Sequence, residues 1–134
     1  MTGGRTEGDA PPPYQLVLAP HPRSAQVART FVETCCRAAG ISGDPVDVAV
    51  LLTSETVTNA IIHARSVARL VVTVGRESLR VEVGDDDPLS PELVGQSTSE
   101  VSGRGLSILD MLADSWGVTN EPLGKVVWFC VRTS

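Results

Sequence analysis

The sequence predicts an α+β domain in which helices cover one face of a largely antiparallel sheet. The patterned segments run strand, helix, helix, strand, strand, long loop, helix, strand. Like following like marks α+β rather than alternating α/β architecture. The two middle strands, ARLVVTVG (68–75) and SLRVEVGDD (78–86), are separated by a short turn and read as an antiparallel hairpin. In the second of them Leu79, Val81 and Val83 alternate with Arg80 and Glu82, the pattern of a strand with one buried face.

A length of 134 residues suits one domain, since domains cluster near about 100–150 residues. Residues 1–13, MTGGRTEGDAPPP, have the composition of a disordered tail, so the folded domain is expected over 14–134. YQLVLAP (14–20) opens it as a strand stopped by Pro20 and Pro22. Val27, Phe31 and Cys35 then recur every fourth residue, marking a helix from about Arg23 to Ala39 that ends at Gly40. SGDP (42–45) starts the next helix. Asp44 is placed as N-cap, Pro45 at the first helical position and Asp47 in the first turn, where its charge suits the dipole; this helix extends to about Ala64. After the hairpin, residues 88–103 hold two prolines, two glycines and five serines or threonines without an apolar pattern, as a long loop does. GRGLSILDMLADSWGV (103–118) is expected as a glycine-led short helix, and KVVWFCV (125–131) as the closing strand. There is no internal repeat.

A net charge of −5, a single lysine among eleven basic residues and scattered arginines give no electrostatic footprint for nucleic acid. No charged start leads into an apolar run with a cleavage site, and no apolar stretch approaches the roughly 20 residues that cross a bilayer. A cytoplasmic protein without membrane attachment is expected. Cys35, Cys36 and Cys130 are odd in number with two adjacent, which fits neither a disulfide framework nor a CxxC metal pattern. They are expected as small apolar core residues.

Three segments carry candidate chemistry. In LLTSETVTNAIIHA (51–64), Glu55, Asn59 and His63 are spaced four apart, so on a helix they are stacked neighbours, while Leu51, Leu52, Val57, Ala60 and Ile61 fill the apolar remainder. Such a stripe fits a plain wet helix face. It also fits a site, because a carboxylate and a carboxamide one turn apart can orient a water and ligate a hard cation such as Mg²⁺. VEVGDDDP (81–88) runs a strand out into three aspartates. They form either an acidic turn or, through Asp85, an acceptor for an exocyclic amine at a pocket floor. GRGL (103–106) sets two glycines ahead of a helix, either as a turn or as a backbone N–H anion site at the positive end of the dipole.

Taken together, ExxxNAxxH on a helix, an aspartate at a strand end, a long loop, GxGL before a helix and a final GKVVWF strand resemble the GHKL ATPase superfamily. That superfamily includes gyrase, histidine kinases and heat-shock ATPase chaperones. SETVTNAIIHA, GRGLSILDMLADSWGV and GKVVWF are most similar to bacterial anti-sigma factor serine/threonine kinases and their actinobacterial relatives. From Tyr14 onward the resemblance implies a two-layer α/β sandwich of the Bergerat type that binds ATP with Mg²⁺. It implies that Glu55 polarises the attacking hydroxyl or water, Asn59 ligates the Mg²⁺ bridging the phosphates, and Asp85 binds the adenine amine. N–H groups around Gly103, Arg104 and Gly105, in the motif completed by Leu106, would cap the phosphates beneath a lid from Pro88 to Ser102. His63 has no chemical role in this assignment.

The chain departs from the family pattern at three positions. Asp87 and Leu89 stand where the adenine box has glycines, and Val126 stands where relatives carry a threonine. Leu89 adds bulk, and Asp86 with Asp87 adds negative charge near a polyphosphate. The implied activity is that of an ATP-dependent serine/threonine protein kinase that regulates a sigma factor by partner switching with an anti-sigma factor antagonist. The alternative is a non-catalytic anti-sigma or partner-binding module of the same fold, with weak or lost nucleotide binding. By analogy alone the Arg23–Ala39 helix would face the partner, with a homodimer as one option. A histidine-kinase catalytic fragment is set aside, because no two-helix element carrying a phosphorylatable histidine precedes the domain.

Overall fold

Period-two burial organises the sheet. A computed structural model of the chain describes residues 13–64, 66–86, 108–122 and 124–134. Strands β1 (Tyr14–Leu18), β2 (Ala68–Val74), β3 (Ser78–Asp85), β4 (Ser115–Glu121) and β5 (Gly124–Arg132) form one sheet in the order β1-β2-β3-β5-β4. Every neighbouring pair is antiparallel. Val81 lies between Val72 and Phe129, and Val83 between Leu70 and Val127. All six are buried, so the β3 alternation read from the sequence extends across three strands as one apolar face.

Helices α1 (Ser24–Ala38) and α2 (Asp44–Ala64) cover that face, as expected. α1 lies against β1 and β2, and α2 against β2, β3 and β5. Ala28, Val32 and Cys36 of α1 and Ala49, Leu52 and Val57 of α2 join the sheet residues in one core cluster. Arg29 Nη1 of α1 donates to Ser54 Oγ of α2 at 2.9 Å, tying the two helices together at the surface.

The helix ends follow from glycine. Gly40 has φ +77°, a left-handed conformation that costs other residues free energy. Its N–H donates to Arg37 O and that of Ile41 to Cys36 O, the paired bonds of a Schellman stop. Gly43, with φ +82°, precedes α2, and its carbonyl accepts from Val46 N–H at 3.0 Å. Asp44 thus falls inside the first turn rather than at the cap, and its charge still faces the positive dipole end. By length and composition alone Asp44–Ile62 is apolar enough to cross a bilayer, contrary to the expectation that no stretch would be. Its apolar side lies on the sheet, where Ala49, Leu52, Val57 and Ala60 are buried.

Three further details differ from the sequence reading. The helix expected over 103–118 is, among the described residues, confined to 108–112, and Ser115–Glu121 is instead the edge strand β4. Asp114 makes the change of direction. Its N–H donates to Cys130 O at 2.9 Å, and its carboxylate accepts from Arg132 N–H at 2.6 Å, which sets the next residue in register with β5. Pairing with β5 then overrides the helical spacing, helped by Val118 and Thr119, whose β-branches favour strands. Trp116 Nε1 donates to Asp110 Oδ1 at 3.2 Å, holding the short helix to the strand. Finally, Cys130 is not a core residue. It pairs with Arg80 and is half-buried on the face away from the helices, where Arg80 also stacks 4.4 Å from the Trp128 ring centroid.

Phe129, fully buried on the interior strand β5, is expected to lose about 3–5 kcal/mol of stability on truncation to alanine. Gly40→Ala, with nothing within 4 Å of an added Cβ, should lose only the conformational term of about 1 kcal/mol. Urea midpoints at unchanged slope measure both. Equal losses would contradict this ranking.

Candidate functional site

Two elements place the site residues, the middle of α2 and the adjoining ends of β3 and β5. Successive helical residues are about 100° apart. On α2 the buried positions Ala49, Leu52, Thr53, Thr56, Val57 and Ala60 occupy one arc. Ser54, bonded to α1 through Arg29, lies beyond one edge of it. Glu55 and Asn59, both half-buried, lie along the opposite edge. The helix therefore brings these two together, one turn apart, on the side away from α1.

Asp85 is the last residue of β3. It shares the inward parity of Leu79, Val81 and Val83, so the strand that buries an apolar row also buries a carboxylate. Its side chain is 2% exposed, and Lys125 Nζ, on a side chain 10% exposed, donates to Asp85 Oδ2 at 3.2 Å. Gly124 permits the approach. A Cβ there would stand 2.0 Å from the Asp85 carbonyl oxygen and 3.0 Å from Oδ1, so no larger residue fits without moving β3 from β5.

Lys125 is a candidate site residue that the sequence reading did not name. That reading noted Val126 in place of a threonine, and Val126 lies opposite Gly84 and Thr119 on the outer face. Parity holds the missed signal. Lys125 is in phase with Val127, Phe129 and Val131, which are buried, and a lysine in phase with a buried row faces inward.

Asp86 is turned elsewhere. Arg69 donates to both of its carboxylate oxygens, and its own N–H donates to Ser66 Oγ at 3.1 Å. Arg69 lies opposite Gly84 on the outer face, so the Asp86 charge is matched there rather than left beside Asp85. Hydrogen bonding to Asp86, with its charge, pushes the Arg69 pKa further up. Gly103, Arg104, Gly105, Leu106, Asp87, Leu89 and the expected lid from Pro88 to Ser102 lie outside the described residues.

The buried thiols supply no nucleophile. Burial, with Cys36 beside it, pushes Cys35 up to about 11, and burial with the charge of Glu33 raises Cys36, so neither is a thiolate near neutral pH. Among the described residues no group of three or more His, Cys, Asp or Glu side chains could hold a metal ion. The polar groups present suit a nucleotide better than a caged ion. Asp85 and Lys125 offer an acceptor beside a donor, and Asn59 offers one carboxamide oxygen. Mg²⁺ is commonly held by one or two protein oxygens with phosphates completing its shell.

A family model described as histidine kinase-like ATPase domain matches residues 18–131. Among curated proteins no match is found. Among solved structures the chain is similar to the crystal structure of the RsbU and RsbW domains of Rv1364c from Mycobacterium tuberculosis, with a TM-score of 0.71 and 15% sequence identity. The match covers 92% of this chain and 34% of that one, and at this identity it shows the fold. The chain thus spans about a third of the length of that neighbour.

Lys125→Met keeps much of the side-chain volume but takes the cation from a buried carboxylate, and is expected to cost about 3–5 kcal/mol of stability. Replacing both partners, as Asp85→Asn with Lys125→Met, should recover at least half of that loss. Urea unfolding of the three proteins decides, and a single-variant loss below about 1 kcal/mol would show that the pair is hydrated rather than buried.

Proposed function

The chain belongs to the histidine kinase-like ATPase family, and on that premise we propose that it is an ATP-binding serine/threonine protein kinase of the anti-sigma factor type. In this proposal it regulates a sigma factor by partner switching with an anti-sigma factor antagonist. The observation that carries the reading is the placement of Glu55 and Asn59, half-buried on the edge of α2 that α1 leaves clear. The RsbW domain in the structural neighbour supports the choice of an anti-sigma role within the family.

In this reading Asp85 accepts a hydrogen bond from the adenine amine, and Asn59 gives its carboxamide oxygen to Mg²⁺. Bound Mg²⁺ would offset charge on the phosphates. N–H groups around Gly103, Arg104, Gly105 and Leu106 cap those phosphates, with residues 88–102 as lid. Glu55 orients the attacking serine or threonine hydroxyl and accepts its proton, a role worth typically 10²–10⁴-fold in rate. We assign α1 to the protein partner, or to a second copy of this chain. Beside it a groove is lined by Leu16, Val27, Phe31 and Arg23, and Val27 is half-exposed. The expected location is cytoplasmic, with residues 14–134 as a single domain.

A second reading, a partner-binding module without catalysis, is favoured by the Asp85–Lys125 contact, because the proposed adenine acceptor already holds a cation. Calorimetric titration with ATP and Mg²⁺ separates the two. Wild type is expected to bind, and Asn59→Ala to weaken binding at least about tenfold. Glu55→Ala is expected to retain binding and to lose about 10²-fold or more of phosphotransfer to an anti-sigma factor antagonist protein. Absence of binding at millimolar nucleotide would leave only the module reading.

A further inference from the structure

We propose that the outer face of the sheet docks a second copy of this chain, the two sheets meeting face to face. Both helices lie on the inner face, and among the described residues no element packs on the other. Strand register arranges the outer side chains in rows. Val71, Glu82, Trp128 and Gly117 form one row, and Thr73, Arg80 and Cys130 the next. At the middle of the face Arg80 Nε therefore meets Glu82 Oε2 at 3.1 Å, with Val71 to one side and Trp128 to the other. The indole lies over β4. Arg80 stacks 4.4 Å from its ring centroid, and a Cβ at Gly117 would stand 2.8–2.9 Å from three of its atoms, so glycine there makes room for it. Val126, half-buried, and Val17, 64% exposed, extend the apolar surface along the next row. Tryptophan and arginine in such a setting are the residues that most often anchor protein interfaces.

Charge selects a second copy as the occupant. The chain has a net charge of −5, which sets copies against one another at long range. The outer face carries none of that excess, because Arg69 is matched by Asp86 and Arg80 by Glu82, while Arg132 and Glu121 at its ends are one of each sign. A two-fold pair must also be complementary to itself, and a patch with both signs along one strand is. With the two-fold axis between the sheets and across the strands, Arg80 of each copy lies opposite Glu82 of the other. The area suffices. Five strands about 4.8 Å apart and about six residues long at about 3.4 Å each give a plane of roughly 500 Å², so two copies bury roughly 1,000 Å², the lower limit of a specific interface. The contact is thus a reversible one, and it leaves α1 to the protein partner.

Sedimentation equilibrium of the full chain tests this, with Arg80→Glu and Glu82→Arg as variants. Wild type is expected to dimerise with a Kd of about 10–100 µM, as transient contacts of this size do. Each variant alone sets like charges face to face and should raise that Kd at least about tenfold. One variant is negative at the pair and the other positive, so an equimolar mixture should associate at least about tenfold more tightly than either alone. Wild type that stays monomeric at millimolar concentration overturns the proposal. So does a variant that dimerises like wild type, which would place the contact on another face, and so does a mixture no tighter than its parts. Where a variant fails to fold, amide chemical shifts of wild type on dilution decide. Changes at Glu82, Val126 and Trp128 support the outer face, and changes confined to α1, or none, overturn it. Each of these outcomes is independent of nucleotide binding.

Discussion

A buried negative charge at the end of β3 sets the terms for the rest of this molecule. Strand alternation sends Leu79, Val81 and Val83 inward, and Asp85 follows them because it has the same parity and the strand has not yet ended. A carboxylate taken out of water is unfavourable unless it is paired and hydrogen-bonded. Lys125 supplies the cation, and Gly124 supplies the closeness. The register of β5 on β3 and the two residues that open β5 are thus coupled to one charge. The neighbouring Asp86 is handled differently, by Arg69 at the surface, where an ion pair contributes little to stability. Adjacent aspartates therefore have opposite roles.

The same economy of placement operates on α2. One helix supplies the core with Leu52 and Val57 and carries Glu55 and Asn59 along the margin of its buried arc, so the groups proposed for chemistry are held by a rigid element. Sites borne on packed helices and strands keep their geometry better than sites on loops. Asn59 and Glu55 on one side and Asp85 with Lys125 on the other are all carried by elements that share the central core cluster. The groups proposed to meet a nucleotide's phosphates and base are thus held on rigid supports.

Much of this was legible in the sequence because its signals are local. The hairpin, the stop at Gly40 and the buried face of β3 each rest on spacing or on one residue type, and α2 was placed by its start signal and its polar stripe. What was not legible depends on partners far along the chain. β4 hides inside SILDMLADSWGV because helical spacing up to Leu112 gives way to strand only once Asp114 bonds β5. Cys130 reads as core from its apolar surroundings, and only the register opposite Arg80 puts it on the other face. Lys125 was visible as the one lysine, but its meaning required knowing that β5 lies beside β3. The apolarity of α2, enough for a membrane span on composition, likewise takes its meaning from the sheet beneath it.

The account stands on the claim that Asn59, Asp85 and Lys125 line one nucleotide site on the helix side of the sheet. Backbone amide chemical shifts recorded during titration with ATP and Mg²⁺ test it most directly. The account predicts saturable shifts for the middle of α2 and for Asp85, Gly124 and Lys125, with Arg80, Trp128 and Cys130 on the outer face left unmoved. Shifts confined to the outer face or to α1, or no shifts at millimolar ATP, would contradict it.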